Sequence, residues 1–209
     1  MMKSTVNSLQ DDRISKVLNR LHREADKDSE RWARDPSTTS NALVRMGEIY
    51  LSVSKEEGTF LYILARACKA KHLVEFGASY GVSTLYLAAA ARDNGGKLVT
   101  TEAHPKKCAA LRKNLDRAGL AGVTELFEGD ARETLSAVKG PVDFLFLDGW
   151  KGMYRTVFGI VQPVLATGAV IVADNITHSA VRDYRNTVRN PNSGFLSVNM
   201  GKQEVSIKV

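Results

Sequence analysis

Two acidic motifs, each directly after a short apolar run, are the residues of this chain best suited to chemistry. Asp148 follows the run 144–147 (FLFL), and Asp174 and Asn175 follow the run 170–173 (VIVA). Runs of this length and composition are typical of strands buried on both faces. If the two strands are neighbours in a parallel sheet, their ends lie about 5 Å apart. The three polar side chains would then converge on one point.

Carboxylate and amide oxygens are ligands that hard cations prefer. Two carboxylates and one amide carbonyl suit Mg²⁺ or Ca²⁺ and leave coordination positions for water or substrate. The alternative interpretation is that Asp148 and Asp174 each cap a following helix, as Asp often does where a strand leads into a helix. Taken one at a time, neither acid decides between a metal site and a helix cap.

The elements that must position these residues alternate regularly along the chain. We predict strands at 72–76, 97–101, 123–127, 142–147 and 169–173, separated by helices at about 81–92, 105–118, 131–138 and 153–165. This alternation is typical of the α/β class, with a doubly wound, mostly parallel sheet and right-handed crossovers. In such sheets ligands bind at the carboxyl ends of the strands, which is where both acidic motifs fall.

Both ends of the chain add elements to this core. Apolar residues recur at helical spacing between Asp11 and Trp32, which predicts an amphipathic helix. Docking on the core is favoured for it over a lid or a homodimer contact. A loop is predicted at 35–41, a second helix at about 55–70, and an antiparallel hairpin at one sheet edge from segments 194–198 and 204–208 around a turn at 199–202. The chain reads as one domain over 1–209, with an N-terminal helical extension (1–50) and a core (51–209). The residues of the amphipathic stripe are Ile14, Val17, Leu18, Leu21 and Ala25.

Composition narrows the classes of function. The 209 residues are 44% hydrophobic and 25% charged, and the net charge of +6 is scattered rather than gathered into a basic tract, so nucleic-acid binding is a minority hypothesis. No apolar run approaches membrane-spanning length and the start lacks a signal-peptide core, so we expect a cytoplasmic protein with no membrane partner. Two cysteines are too few for a zinc site or a disulfide framework. The histidines are not spaced as a metal set, and only His178 is near the acidic motifs; they are His22, His72, His104 and His178.

The loop after the first predicted strand suits a nucleoside without phosphates. Gly77 and Gly81 let the backbone approach a ligand at a strand-to-helix turn, and Ser83 can donate from the helix start. The loop lacks the G-x-G-x-x-G pattern of a dinucleotide site. Glu102, at the end of the next strand, can accept hydrogen bonds from both hydroxyls of a ribose, and segment 128–131 can meet an adenine edge. Three such contacts at successive strand ends favour an adenosine group.

Together these motifs resemble the class I S-adenosylmethionine-dependent O-methyltransferases. The resemblance is to their cation-dependent group, which includes catechol O-methyltransferase and caffeoyl-CoA O-methyltransferase, and it runs from about residue 53 to 175. The segments that match in order are 75–83, Glu102, 147–151 and 173–175. The resemblance implies a Rossmann-like methyltransferase fold and a cofactor site lined by Val53, Glu75, Gly77, Ser83, Glu102, Ala131 and Asp148.

The resemblance also implies the roles at the reacting centre. Asp148, Asp174 and Asn175 would hold the divalent metal, with Mg²⁺ favoured over Ca²⁺ or Mn²⁺. Lys151 would be the base, and Lys151, Asn175, Trp150 and Glu204 would contact the acceptor, Glu204 through its second hydroxyl. At two positions that wall the catechol ring in the catechol enzyme, this chain has Ile49 and Ser179, a departure that puts its aromatic specificity in question.

The chemistry of the residues agrees with those roles. A Mg²⁺ ion that bridges two adjacent hydroxyl oxygens lowers their pKa and orients one of them toward an electrophilic methyl group. A lysine beside a cation loses its proton more readily, which suits a general base; the ordinary alternative for Lys151 is a solvated surface lysine. Trp150 suits an aromatic wall for a planar substrate, or packing in the core.

We therefore predict a methyltransferase that uses S-adenosylmethionine and a divalent cation to methylate a hydroxyl of a small, catechol-like vicinal diol. One alternative keeps the chemistry and changes the acceptor to a hydroxylated tRNA base. The other is a nucleoside-binding protein of the same fold without catalysis, since fold does not fix function.

Overall fold

The computed structural model describes residues 7–33 and 46–209, so the predicted loop at 35–41 lies outside the described residues. In the described part, seven strands form one sheet in the order β3-β2-β1-β4-β5-β7-β6. The first five are parallel, and β7 is antiparallel to both β5 and β6. The predicted fold class and the edge hairpin are confirmed. The strands are β1 (His72–Phe76), β2 (Lys97–Glu102), β3 (Thr124–Glu128), β4 (Val142–Leu147), β5 (Leu165–Ala173), β6 (Phe195–Met200) and β7 (Gln203–Lys208).

Helices cover both faces of the sheet. Among the described residues they are α1 (Asp12–Ala25), α2 (Asp28–Ala33), α3 (Lys55–Ala67), α4 (Val82–Asn94), α5 (Pro105–Ala118), α6 (Ala131–Thr134), α7 (Tyr154–Val161) and α8 (Arg182–Arg189). None of these is long and apolar enough to cross a membrane.

Several predicted boundaries differ from the structure. The N-terminal stretch forms α1 and α2 rather than one helix, and the helix predicted at 131–138 is one α turn followed by the 3₁₀ turn Leu135–Ala137. The helix predicted to reach 165 ends at Val161, where the 3₁₀ turn Gln162–Val164 contains Pro163. Proline lacks the N–H that a continuing helix needs. As a result β5 begins at Leu165, four residues earlier than predicted.

Helix α8 was not predicted from the sequence. Its signal was present, because Val181, Tyr184 and Val188 recur at helical spacing and are all fully buried. The segment is short and contains many charged residues, so these three apolar positions are difficult to recognise as one face of a helix. Helix α8 is important for the site because its residue Arg189 binds Glu204, one of the predicted site residues.

The sheet separates two hydrophobic cores, and β4 contributes to both. Phe144 and Phe146 belong to the core that also holds α1, α3, α4 and α5, whereas Leu145 and Leu147 belong to the core that holds α7 and α8. This is the period-2 alternation of a strand buried on both faces. The predicted stripe of α1 docks on the first core, since its aliphatic residues from Ile14 to Leu21 are at most 6% exposed.

The strand order reverses between β1 and β4, so the ends of these strands form the topological switch point of the sheet. There the Asp148 N–H donates to the Phe76 carbonyl at 2.9 Å, and the Asp174 N–H donates to the Leu147 carbonyl at 2.9 Å. Crevices at a switch point are the usual ligand sites of such sheets. The fold therefore brings the loop after β1 and both acidic motifs to one edge.

Candidate active site

Asp148 and Asp174 lie buried at the ends of adjacent strands. The Asp148 side chain is 10% exposed and Asp174 is 5% exposed. Asn175 follows in the left-handed backbone region, with φ 51°, a conformation that costs energy and clusters at functional sites. Neither acid caps the element that follows it: the turn after Trp150 has no side-chain cap, and the turn Ser179–Val181 is capped by His178. The helix-cap interpretation is wrong for both.

The positive charge of Lys151 does not balance the two buried carboxylates, Asp148 and Asp174. Burial raises the pKa of Asp148 to about 7; the Lys151 ammonium opposes the rise, and Asp174 and Glu75 add to it. Burial also raises the pKa of Asp174. Asp174 Oδ1 is buried and accepts no hydrogen bond from the described residues, although a buried carboxylate oxygen normally has a partner. The two carboxylates would therefore stabilise a further cation at this site.

Lys151 is held against this pair. Its Nζ donates to Asp148 Oδ1 at 2.7 Å and to the Tyr154 hydroxyl at 3.1 Å, and its side chain is 21% exposed. The solvated-lysine interpretation is wrong. Trp150, one residue earlier, is 64% exposed, so the core-packing interpretation of this tryptophan is wrong too. Its role as an aromatic wall stays a prediction.

The loop after β1 approaches the Asp148 segment so closely that Gly77 accepts no side chain. Gly77 has φ +100°, and a Cβ atom there would lie 2.6 Å from the Gly149 nitrogen and Cα. The carboxylate of Glu102 holds the same loop: Oε2 accepts from the Ser79 N–H and Oε1 from the His104 N–H, both at 2.8 Å. Glu102 thus ties the ends of β1 and β2 together.

Glu75 is fully buried beneath the loop, and hydroxyl groups surround it. Its carboxylate accepts hydrogen bonds from Ser83, Thr84 and Thr100, each at 2.6 Å. Burial raises its pKa and these three donors oppose the rise. Glu75 and Ser83, both predicted to line the cofactor site, are thus bonded to each other. Their contact with the cofactor stays a prediction.

A segment before α3 covers the loop, and sequence reasoning missed most of it. The Tyr50 ring stacks on Tyr80 at 4.1 Å between centroids, and Ser79 Oγ donates to the Tyr50 carbonyl at 2.7 Å. Residues 50–52 line a small cleft with Gly77, Ser83 and Asp148. Val53, predicted to line the site, is 3% exposed and packs in the first core. Neither tyrosine lies in a periodic pattern, so no sequence signal marked this pair.

The remaining predicted residues have other contacts or are simply buried or exposed. Ala131 is the buried first residue of α6, and Asp130 caps that helix through the Arg132 N–H at 2.8 Å. Glu204 is completely buried, and both its oxygens bind Arg189, to Nε at 2.7 Å and to Nη2 at 2.6 Å. Its contact with an acceptor stays a prediction. Ile49 is 2% exposed, and Ser179 is exposed.

Each of the four histidines makes a hydrogen bond within the described residues. His104 and His178 accept backbone N–H bonds at the starts of a helix and a turn. His22 meets the Tyr86 hydroxyl at 3.2 Å, and His72 meets the Pro141 carbonyl at 3.2 Å. Within the described residues no group of three His, Cys, Asp or Glu side chains could hold a metal ion. The predicted ligand set contains only two such residues, because its third member is the Asn175 amide.

Comparison with known proteins shows what the chain is similar to. Residues 74–176 match the family model described as "Methyltransferase domain". This part of the chain is similar to methyltransferase domains. It is similar to catechol O-methyltransferases from Niastella koreensis, at 38% identity over 66% of this chain and 63% of the relative, and from Mycobacterium tuberculosis, at 38% over 60% and 57%. The matches thus span less than two thirds of these relatives.

A solved structure agrees with the fold. The O-methyltransferase from Bacillus cereus, determined in complex with SAH, superposes with a TM-score of 0.70 over 90% of this chain and 100% of the other, at 22% identity. At this identity the likeness concerns the fold alone. With the relatives above, it confirms the predicted resemblance to O-methyltransferases and the Rossmann-like fold of the domain.

Proposed function

We propose that this protein is an S-adenosylmethionine- and divalent-cation-dependent O-methyltransferase whose acceptor is a small molecule with two adjacent hydroxyl groups. The observation that carries the proposal is the buried pair Asp148 and Asp174, with Lys151 bonded to one and an unpartnered oxygen on the other. The similarity to catechol O-methyltransferases supports the reaction class.

The residues present fit a hard divalent cation. Asp174 Oδ1 lacks a hydrogen-bond partner among the described residues, and burial, with a smaller contribution from repulsion by Asp174, raises the pKa of Asp148 to about 7. Asn175 Nδ2 donates to Asp174 Oδ2 at 3.3 Å, which turns its amide oxygen away from that carboxylate oxygen. Asp148, Asp174 and Asn175 would hold the ion. Bound there, a divalent cation acts as a Lewis acid that lowers the pKa of a coordinated hydroxyl.

Lys151 supplies the base. The acceptor hydroxyl gives its proton to Lys151 Nζ, and its oxygen forms a bond to the donor methyl carbon while the carbon–sulfur bond breaks with its electron pair on sulfur. The sulfonium becomes a neutral thioether and the lysine becomes an ammonium. The Asp148 carboxylate, 2.7 Å from Nζ, stabilises that ammonium.

The loop after β1 would hold the methyl donor. Gly77 lets the backbone approach the Asp148 segment, and Glu102 already fixes the Ser79 N–H while its oxygens keep lone pairs for two ribose hydroxyls. Ala131, at the start of α6, would border the adenine. The stacked pair Tyr50 and Tyr80 would close this side against water.

A phenolic diol fits the acceptor side. Trp150 is exposed directly beside Lys151, and a planar ring can stack on it. Relatives include catechol and caffeoyl-CoA O-methyltransferases. The wall residues of the catechol enzyme are replaced by Ile49 and Ser179, so we expect the ring to be held less tightly than in that enzyme.

The test is a methyl-transfer assay with labelled donor on purified protein. A diphenol panel, matched monophenols and bulk tRNA are offered, each with Mg²⁺ and with excess chelator. Metal-dependent labelling of a diphenol supports the proposal. Labelling of tRNA instead, with an affinity that falls as salt is added, would show that the acceptor is RNA. Binding of the methyl donor without any methyl transfer would favour the alternative of a non-catalytic nucleoside-binding protein.

A further inference from the structure

The hydroxyl of Tyr154 contacts both strand ends of the acidic pair and also Lys151. Tyr154 begins α7 and its side chain is completely buried. Its oxygen lies 2.9 Å from the Leu147 carbonyl oxygen and 3.0 Å from the Asp174 carbonyl oxygen. Lys151 Nζ is 3.1 Å away. The sequence assigned no role to this tyrosine, although it lies only three residues after Lys151.

The chemistry of these partners fixes the direction of each hydrogen bond. Carbonyl oxygens only accept and a lysine nitrogen donates, so the Tyr154 hydrogen is shared by the two carbonyls and its oxygen accepts from Lys151. The hydroxyl is thus held by three partners at once, two acceptors and one donor.

The ring cannot shift to another position at low cost. It packs edge-on against Phe76, 6.3 Å between centroids, and against Tyr184, 6.0 Å between centroids. Phe76 is itself fixed, because its carbonyl accepts the Asp148 N–H and its ring fills the space beside Gly149. The hydroxyl is thus a rigid point beside a flexible lysine.

We propose that Tyr154 is a positioning residue that fixes the Nζ atom of Lys151 beside the acceptor hydroxyl, an inference that rests on the proposed function. Nζ is held from two sides, by Asp148 Oδ1 at 2.7 Å and by the Tyr154 oxygen at 3.1 Å. These two partners together fix where the nitrogen lies and how it is oriented. Without the tyrosine oxygen, Nζ rotates about its bond to Asp148 and spends less time in a productive orientation.

The test is the variant Tyr154→Phe, which removes the hydroxyl and keeps the ring. We expect kcat to fall about tenfold, less than the 10²–10⁴-fold worth of a general base, while KM for the acceptor and the affinity for the methyl donor stay within twofold. The matched control is Tyr184→Phe. Tyr184 is a buried neighbour whose hydroxyl has no hydrogen-bond partner among the described residues, so kcat should stay unchanged.

A double mutant separates positioning from a general structural effect. If Tyr154 acts through Lys151, adding Tyr154→Phe to Lys151→Ala lowers kcat no further. A tenfold loss in both backgrounds would overturn the inference, as would unchanged kcat in folded Tyr154→Phe. If Lys151→Ala alone keeps full turnover, the proposed base fails instead, so the two failures are distinguishable.

A second substitution keeps the inference testable if Tyr154→Phe does not fold. Site-specific 3,5-difluorotyrosine at position 154 retains the hydroxyl and its ring contacts but weakens the oxygen as an acceptor. A several-fold fall in kcat with unchanged KM supports the positioning role. Wild-type kcat in this variant would overturn it.

Discussion

Replacing Glu102 with glutamine tests the methyl-donor site with a minimal change of shape. The carboxylate of Glu102 accepts from the Ser79 and His104 N–H groups at 2.8 Å each. An amide keeps one accepting oxygen and sets an N–H₂ group against one of these donors. The variant therefore loses the charge that a ribose would use and loosens the loop that contains Gly77.

The magnitude follows from the bonds involved. Hydrogen bonds to a charged group contribute about 1.5–3 kcal/mol each. The loss of one such bond to the ribose lowers affinity by about 10-fold to 150-fold. Glu102→Ala also removes both backbone bonds, so we expect it to lose at least tenfold and to unfold at a lower temperature than the glutamine variant.

The assay is calorimetric titration with S-adenosylhomocysteine, with thermal unfolding of each variant as a check on folding. The matched control is Glu125→Gln, an exposed glutamate on the neighbouring β3, which should bind as the wild type does. An affinity within twofold of wild type in folded Glu102→Gln would remove Glu102 from the donor site.

Three further predictions concern catalysis and stability. Lys151→Ala should lose about 10²–10⁴-fold in turnover. Lys151→Arg should be nearly inactive because a guanidinium cannot act as a base near neutral pH. Wild-type turnover in Lys151→Arg would mean that Lys151 contributes only its positive charge and is not the base. Arg189→Ala should lower the free energy of unfolding by about 3 kcal/mol, since it leaves the fully buried Glu204 carboxylate unpaired, and a loss below about 0.5 kcal/mol in urea titrations would contradict that. Burial lowers the pKa of His22 from 6.5, so the unfolded state binds more protons, and the free energy of unfolding should fall as the pH drops through about 6.5. His22→Gln should show a flatter pH dependence of unfolding. An unchanged slope in that variant would show that His22 does not cause the pH dependence.

The sheet could be predicted because each of its central strands repeats a simple pattern. The runs that became β1 and β4 are short, mostly apolar and followed by glycine or acid, so their positions follow from local composition. That their carboxyl ends share one edge follows from the parallel sheet. The largest error in a strand boundary is at the start of β5, where Pro163 ends the preceding helix earlier than its apolar pattern indicates. Helix α8 was not predicted because charged residues lie between the buried positions of this segment, which are Val181, Tyr184 and Val188.

The acidic pair could be predicted and its surroundings could not. Asp148, Asp174 and Lys151 are recognisable because their residue types and spacing carry chemistry. The stacking of Tyr50 on Tyr80 and the contact of Tyr154 with the Asp174 carbonyl join segments far apart in the chain, which no local pattern encodes. The pairing of Glu204 with Arg189 likewise depends on how α8 packs on β7.

Metal dependence of methyl transfer to a vicinal diol is the most direct measurement of the proposed function. Purified protein, labelled methyl donor and a diphenol are incubated with excess chelator and then with Mg²⁺ restored, beside Asp174→Ala treated in the same way. We predict that chelation abolishes transfer, that Mg²⁺ restores it, and that Asp174→Ala loses it while still binding the donor. Full transfer in excess chelator, or undiminished transfer by Asp174→Ala, would contradict the proposed metal site.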